Sequence, residues 1–318
     1  MIVLLSYSGD QIANDVMDWL YAFGCNCKRI NLEEEDFRKL SFSIKGTKAE
    51  VCLKLKDDSM LKMNDVSVFF FRGGLLKPDI QGYVKNGLSD RSIKTHLTYE
   101  FNTLTQFFYL EISKKCLGNP LLQPPNKLLQ LQLAADAGLT IPETWVSRSK
   151  SELKKMKNDV FITKSIQENV LLQDEDLIHY NLKVNTIRRS ELPEHFFPSL
   201  FQYPVEKSAE VRAFYLDGKF YSLAMLISAL DEPVIDYRAV TGKIRYARYK
   251  LPEEVERKLD RFMKMMGLNT GSIDLLIDRE GVYHFLEVNP TGQIGWVSDY
   301  GNYFLEEKIA RYLLNKEL

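Results

Sequence analysis

Two carboxylates and an amide carry the clearest chemical signal in this chain. Asp274, Glu287 and Asn289 lie in two apolar runs, Ser272 to Asp278 and Tyr283 to Asn289, on either side of a polar turn containing Gly281. Runs of this length around such a turn predict an antiparallel β-hairpin. Pairing Asp278 with Tyr283 sets Asp274 directly opposite Glu287, with Cβ atoms roughly 4.5 to 5.5 Å apart and Asn289 two residues further along the same face. Like charges so placed destabilise a ladder unless one is protonated or a cation lies between them. Two carboxylates and an amide oxygen suit a hard divalent ion. Mg²⁺ takes one or two carboxylates, keeps waters and fills its remaining positions with phosphate oxygens. The plain alternative is a surface hairpin whose acidic residues are merely solvated.

Cationic residues elsewhere could face such a site. Lys127 opens a predicted helix, where a cation is disfavoured by the helix dipole unless an anion is near; a solvated lysine is the alternative. Lys164 shares a predicted strand face with Val160 and Ile162, so its stem leaves a buried surface and its ammonium needs a partner such as phosphate, or water. Glu210 and Arg212 share one face of the next strand, which fits either an ion pair or an arginine held for phosphate. Asp236-Tyr237-Arg238 leads into Lys243, Arg245, Arg248 and Lys250, a cationic run that is either a solvated edge strand or a fork aimed at a carboxylate or phosphoryl group. Phe201 to Glu206 has the apolar and polar mix of a segment lying along an adenine ring.

The elements that must hold these residues read as mixed α/β. A β-α-β start comprises strand Ile2 to Leu5, helix Gln11 to Phe23 stopped by Gly24, and strand Cys27 to Asn31; strand Val66 to Phe71 then runs into Arg72-Gly73-Gly74. A long helix, Ser92 to Cys116, carries Ile93, Leu97, Phe101, Leu104, Phe108 and Ile112 as a core stripe. Gly118-Asn119-Pro120 and Pro124-Pro125 mark a boundary near residue 118. Beyond it come helix Asn126 to Ala137, strand Glu143 to Val146, helix Ser151 to Lys157 and strand Val160 to Lys164. The third region holds strand Leu200 to Val205, a hairpin of Glu210 to Leu216 and Phe220 to Leu226 about Asp217-Gly218, and helix Pro252 to Met266 with Val255, Leu259, Phe262 and Met266 inward. The acidic hairpin and a terminal helix, Tyr303 to Leu314, complete it. Three domains follow: 1–118, 119–199 and 200–318.

Composition narrows the function classes. A chain of 318 residues with 45% hydrophobic and 27% charged residues reads as globular. Its net charge of -1 argues against non-specific nucleic-acid binding, which needs surplus Lys and Arg. Met1 to Leu5 lacks a basic leader, and no apolar stretch approaches the roughly 20 residues of a membrane span, so a cytoplasmic protein with no membrane partner is expected. Cys25, Cys27, Cys52 and Cys116 show no zinc spacing. His284 falls on the hairpin face opposite Glu287 by simple alternation, which suits packing or the surface rather than metal.

A lysine at a helix start before Ala-x-x-x-Gly-Leu-x-Ile-Pro, the strand lysine, the segment after Leu200, Asp-Tyr-Arg and the Asp…Glu-Val-Asn-Pro hairpin together resemble the ATP-grasp superfamily over the whole chain. The resemblance implies an α/β ATP-grasp fold: an N-terminal pre-ATP-grasp domain, a central lid, and a C-terminal domain built on an antiparallel sheet. It also implies ATP and Mg²⁺ as cofactors. Lys127 and Lys164 would hold phosphates, Gln202 and the backbone of Tyr203 to Val205 would meet adenine, Glu206 the ribose, and Asp274, Glu287 and Asn289 the metal. Within the superfamily, Ser67 to Gly74, Glu210 to Phe214, Asp236-Tyr237-Arg238 and Glu287 to Trp296 look most like the graspetide (microviridin-type) peptide maturases, especially the grasp-with-spasm branch. This implies catalytic roles for Arg212 and Arg238 and peptide contacts for Arg72, Glu210 and Gln293. It further implies a homodimer and a ribosomally made precursor whose leader docks near Asn169 to Arg189. One departure is plain: no glycine lies between Gly138 and Gly218, so the glycine-rich lid loop of many relatives is missing and Ser165 to Asp174 would form a shorter one.

The activity implied is phosphorylation of a peptide Asp or Glu side chain, followed by attack of a Thr or Ser hydroxyl, or a Lys amine, of the same peptide. Two rivals share the ATP site: a carboxylate-amine ligase of the glutathione-synthetase or ribosomal-modification type, and a non-catalytic nucleotide-binding regulatory protein. Incorporation of a free amino acid would mark the first; absence of peptide-stimulated ADP release would mark the second.

Overall fold

The computed structural model describes residues 1–35, 39–76, 91–123, 125–167, 171–174, 177–180, 185–227 and 244–317. The Asp236-Tyr237-Arg238 element, Lys243 and Asn169 lie outside them. The chain divides into two compact units, Met1–Gln123 with Pro290–Ser298 and Phe304–Leu318, and Pro124–Asn289 with Asp299–Tyr303.

In the first unit, β1 (Ile2–Ser6), α1 (Gln11–Ala22) and β2 (Cys27–Asn31) form the expected β-α-β start. A meander of β3 (Leu40–Lys45), β4 (Lys48–Lys54) and β5 (Met60–Lys62) follows, absent from the sequence reading. Then come β6 (Val68–Phe71), α2 (Arg91–Ser113) and β7 (Cys116–Leu117). The parallel sheet runs β2-β1-β6-β7. Every residue of β1 and of β6 is buried, as expected of parallel strands covered on both faces. Val3, Leu5, Phe69, Phe71, Phe101, Phe108 and Ile112 share one core with Val51, Leu53 and Leu61 of the meander. Leu104 departs from the expected stripe: it is 43% exposed, while Thr105 and Tyr109 turn inward, because the buried face of α2 drifts round the helix.

The second unit begins with α3 (Lys127–Asp136), β8 (Thr144–Ser149), α4 (Lys150–Leu153), β9 (Val160–Lys164), β10 (Leu171–Asp174), β11 (Leu177–Tyr180), β12 (Asn185–Arg188) and β13 (His195–Gln202). A four-stranded sheet in the order β12-β9-β13-β8 buries Phe161, Leu153, Leu192 and Phe201. Next are β14 (Lys207–Leu216), β15 (Lys219–Ile227), β16 (Ile244–Tyr249), α5 (Glu253–Met265), β17 (Thr270–Asp278) and β18 (Tyr283–Asn289), which make an antiparallel sheet in the order β16-β15-β14-β17-β18. Helix α5 buries Leu259, Phe262, Met263 and, just past its end, Met266; Phe262 packs on Phe285 of β18 with ring centres 4.6 Å apart. Helices α6 (Gly295–Gly301) and α7 (Leu305–Glu317) end the chain. Within the first unit the terminal amine lies 2.9 Å from Glu317 Oε1.

Candidate active site

Asp274 does stand opposite Glu287, by a different route from the expected one. Tyr283 pairs with Ile277 rather than Asp278, so the register at the turn is one residue off. A β-bulge between the pairs Leu275↔Phe285 and Asp274↔Glu287 leaves Leu286 as the extra residue and restores the expected partners beyond it, including Ser272↔Asn289. The bulge also corrects the expected place of His284. Paired with Leu276, it shares the face of Asp274 and Glu287, where its Nε2 lies 2.8 Å from Asp278 Oδ2. The core face is the other one, with Ile273, Leu275, Phe285 and Val288 buried.

Cations surround the two carboxylates. Arg212 pairs with Asp274 across the β14–β17 ladder and its guanidinium Nε contacts Asp274 Oδ1, both side chains being largely buried. Lys127 Nζ lies 3.4 Å from Glu287 Oε2 and 3.5 Å from the Ser165 carbonyl oxygen. The start of α3 is fixed by Asn126, whose Oδ1 accepts from the backbone N–H of Leu128 and Leu129. One turn on, Gln130 docks the helix against β18: its Nε2 donates to the Val288 carbonyl (3.1 Å) and its Oε1 accepts from the Val288 N–H (2.8 Å). Lys127 and Gln130 stand three apart and share a helix face, so the buried amide clamp holds Lys127 beside Glu287. Sequence reading missed Gln130; a polar residue amid Leu129, Leu131 and Ala134 was its signal.

Lys164 ends β9 opposite Leu200, a buried residue. Burial pushes its ammonium below the usual lysine range and neighbouring Lys127 adds to this, while Glu287 and Asp274 pull it back. For Glu287, burial acts upward, but Lys127, Lys164 and Arg212 outweigh it and hold the carboxyl below its ordinary value. The cluster thus gathers three basic side chains, Lys127, Lys164 and Arg212, about two carboxylates, a composition that suits a polyanion. Among the described residues no group of three or more His, Cys, Asp or Glu gathers as a metal site. The donor set is instead two carboxylates and the Asn289 amide, all oxygen, which fits Mg²⁺.

The other expected site residues have surroundings of their own. Glu210 and Arg212 share a strand face but do not pair with each other, since Glu210 is bonded to Lys207. Gln202, 3% exposed, donates from Nε2 to Thr144 Oγ1 at 2.8 Å. The Tyr203 ring packs into the small sheet's core against Trp145 and Phe161, and its hydroxyl accepts from the Lys157 N–H, leaving Val205 half-buried beyond it. Glu206 is exposed and 3.2 Å from Arg279 Nη1. In the first unit, Arg72 is 5% exposed, donates to the Gly292 carbonyl at 3.2 Å and lies 3.5 Å from Asp10; Gln293 is exposed. Arg238 lies outside the described residues. The cationic run ends as β16, an edge strand, where Arg248 donates to the Gly301 and Asn302 carbonyls and stacks on Tyr303.

No protein-family model matches the chain, and no curated protein matches it by sequence. Solved structures do match. A RiPP-associated ATP-grasp ligase of Chryseobacterium gregarium, in complex with ADP and a leader and core peptide, aligns with a TM-score of 0.80 at 20% identity, over 99% of this chain and 96% of that one. The macrocyclase MdnC of Microcystis aeruginosa, bound with precursor peptide MdnA, aligns at 0.74 and 21% identity over 99% of both chains. The ATP-grasp ligase PsnB, complexed with a phosphomimetic variant of its minimal precursor, Mg and ADP, aligns at 0.72 and 17% identity over 100% and 98%. Likeness this extensive at identity this low shows the fold, and the chain has the ATP-grasp fold that its motifs resemble. No helix among the described residues is long and apolar enough to cross a membrane.

Proposed function

We propose that this chain is an ATP-dependent peptide macrocyclase, an ADP-forming ligase that closes rings in a ribosomally made precursor. The carrying observation is the Asp274 and Glu287 pair set face to face within a ring of Lys127, Lys164 and Arg212. Such a site neutralises phosphate charge without an enzyme nucleophile. The peptide side of the reading is supported by matched ATP-grasp ligases and a macrocyclase whose structures hold a leader and core peptide, a variant of a minimal precursor and a precursor peptide.

On this reading a side-chain carboxylate of the peptide attacks the γ-phosphorus of ATP, giving an acyl phosphate and ADP. A Thr or Ser hydroxyl, or a Lys amine, then attacks the acyl carbon, gives up its proton and expels inorganic phosphate, closing an ester or amide ring. Lys127 and Lys164 bind phosphate oxygens; Arg212 and Arg238 stabilise the phosphoryl group in transit and the later oxyanion. Asp274, Glu287 and Asn289 would hold Mg²⁺, which would supply neutralisation of charge on the phosphates. Gln202 and the Tyr203 to Val205 backbone line the adenine, Glu206 the ribose, and Arg72, Glu210 and Gln293 the peptide. Residues 1–118 form the pre-ATP-grasp domain, 119–199 the lid and 200–318 the C-terminal domain of a cytoplasmic homodimer that binds neither nucleic acid nor membrane.

The test is incubation with a candidate precursor peptide, ATP and Mg²⁺, read by mass spectrometry. Loss of one water per ring is expected. Mass gained from an added free amino acid would overturn the reading in favour of a carboxylate-amine ligase.

A further inference from the structure

Ser272 has no role in the site as described, and its environment demands one. The residue is 1% exposed, and its hydroxyl has no hydrogen-bond partner. Burying a hydroxyl without a partner opposes folding, so an orphan of this kind beside a functional cluster points to a ligand-bound arrangement that satisfies it. Ser272 pairs with Phe214 across one ladder and with Asn289 across the other. It lies two residues before Asp274, on the same strand face. Phe214 offers no polar atom. Asn289 does, and it stands directly opposite, at the roughly 4.5 to 5.5 Å Cβ separation of cross-strand neighbours.

An amide is a metal ligand in only one of its two orientations. Turned one way it presents an oxygen to the cation, and turned the other way it presents an NH₂ group that repels it. We propose that Ser272 is the positioning residue that sets this choice: its Oγ accepts from Asn289 Nδ2, which leaves Asn289 Oδ1 facing the metal. The inference rests on the reading of Asp274, Glu287 and Asn289 as the Mg²⁺ site. It adds to that site a hydroxyl that orients a ligand rather than binding the ion, a kind of partner whose loss typically weakens metal binding about 10- to 100-fold.

The test measures Mn²⁺ uptake in the presence of ADP, from the spin-resonance signal of free Mn²⁺, for the full chain and for Ser272→Ala, Asn289→Asp and the double variant. A carboxylate has two equivalent oxygens, so Asn289→Asp removes the need for orientation. Ser272→Ala is expected to weaken Mn²⁺ binding about tenfold with Asn289 in place, and by less than about twofold in the Asn289→Asp background. Its melting temperature without ligands is expected to equal or exceed that of the parent, because the orphan hydroxyl is gone. Unchanged Mn²⁺ binding by Ser272→Ala, or an equal loss in both backgrounds, overturns the role of Ser272 while leaving the metal site standing. A parent chain that takes up no Mn²⁺ with ADP overturns the metal-site reading and this inference with it.

Discussion

Two hairpins of the same five-stranded sheet, with their turns at opposite ends of it, solve different tasks. The β14–β15 hairpin keeps one register from Glu210↔Met225 to Leu216↔Lys219, around Asp217 and Gly218, both at positive φ (42° and 89°) as a tight primed turn requires. The β17–β18 hairpin starts one residue out of the simple register and recovers through the bulge at Leu286. The regular hairpin is organised by its turn and core. The bulged one is organised by its site: the irregularity falls next to Glu287, where it twists the strand that aims the carboxylate. Bulges concentrate beside active sites for this reason.

The contrast can be broken at several points. Arg212→Ala should have the largest effect on stability, about 3 kcal/mol, because it strips the largely buried Asp274 side chain of the guanidinium beside it; denaturant unfolding checks this, and a cost under about 1 kcal/mol would mean the pair is solvated. Deleting Leu286 leaves Leu275↔Phe285 and Asp274↔Glu287 able to pair without the bulge. The chain should still fold cooperatively, yet bind ADP with Mg²⁺ about tenfold more weakly, a loss of about 1.4 kcal/mol. Unchanged affinity by calorimetry would show the bulge to be incidental. Gly218→Ala tests the regular hairpin alone. The added Cβ meets Asp260 Oδ1 at an ordinary 4.0 Å, so its cost is conformational, about 1 kcal/mol, and ADP affinity should not move. Smallest is Arg279→Ala, which removes an ion pair to Glu206 whose side chains are 71% and 78% exposed; stability should stay within about 0.5 kcal/mol.

How far the sequence could be read differs between the two hairpins in the same way. Strands Cys27–Asn31 and Val160–Lys164 were legible to the residue, and the β14–β15 hairpin nearly so, because apolar runs and turn glycines are local signals. The Asp274 and Glu287 juxtaposition was legible, but the bulge was not: nothing within Tyr283 to Asn289 marks which residue is extra, and the turn's register error hid behind it. His284 was therefore assigned to the wrong face. The meander over Leu40–Lys45 and Lys48–Lys54 alternates at Leu40, Phe42 and Ile44 about Gly46 and could have been found. The Gln130 clamp and the orphaned Ser272 hydroxyl were beyond local pattern, since both depend on which backbone lies across from them.

The central claim is that the paired carboxylates of the bulged hairpin serve an ATP-consuming reaction on a peptide. The most direct measurement is ADP release by the parent chain and by Glu287→Gln, each with Mg²⁺, with and without a precursor peptide. The account predicts release by the parent that rises with peptide and is abolished in Glu287→Gln. Release by Glu287→Gln at the parent's rate, or release by the parent that ignores the peptide, would contradict it.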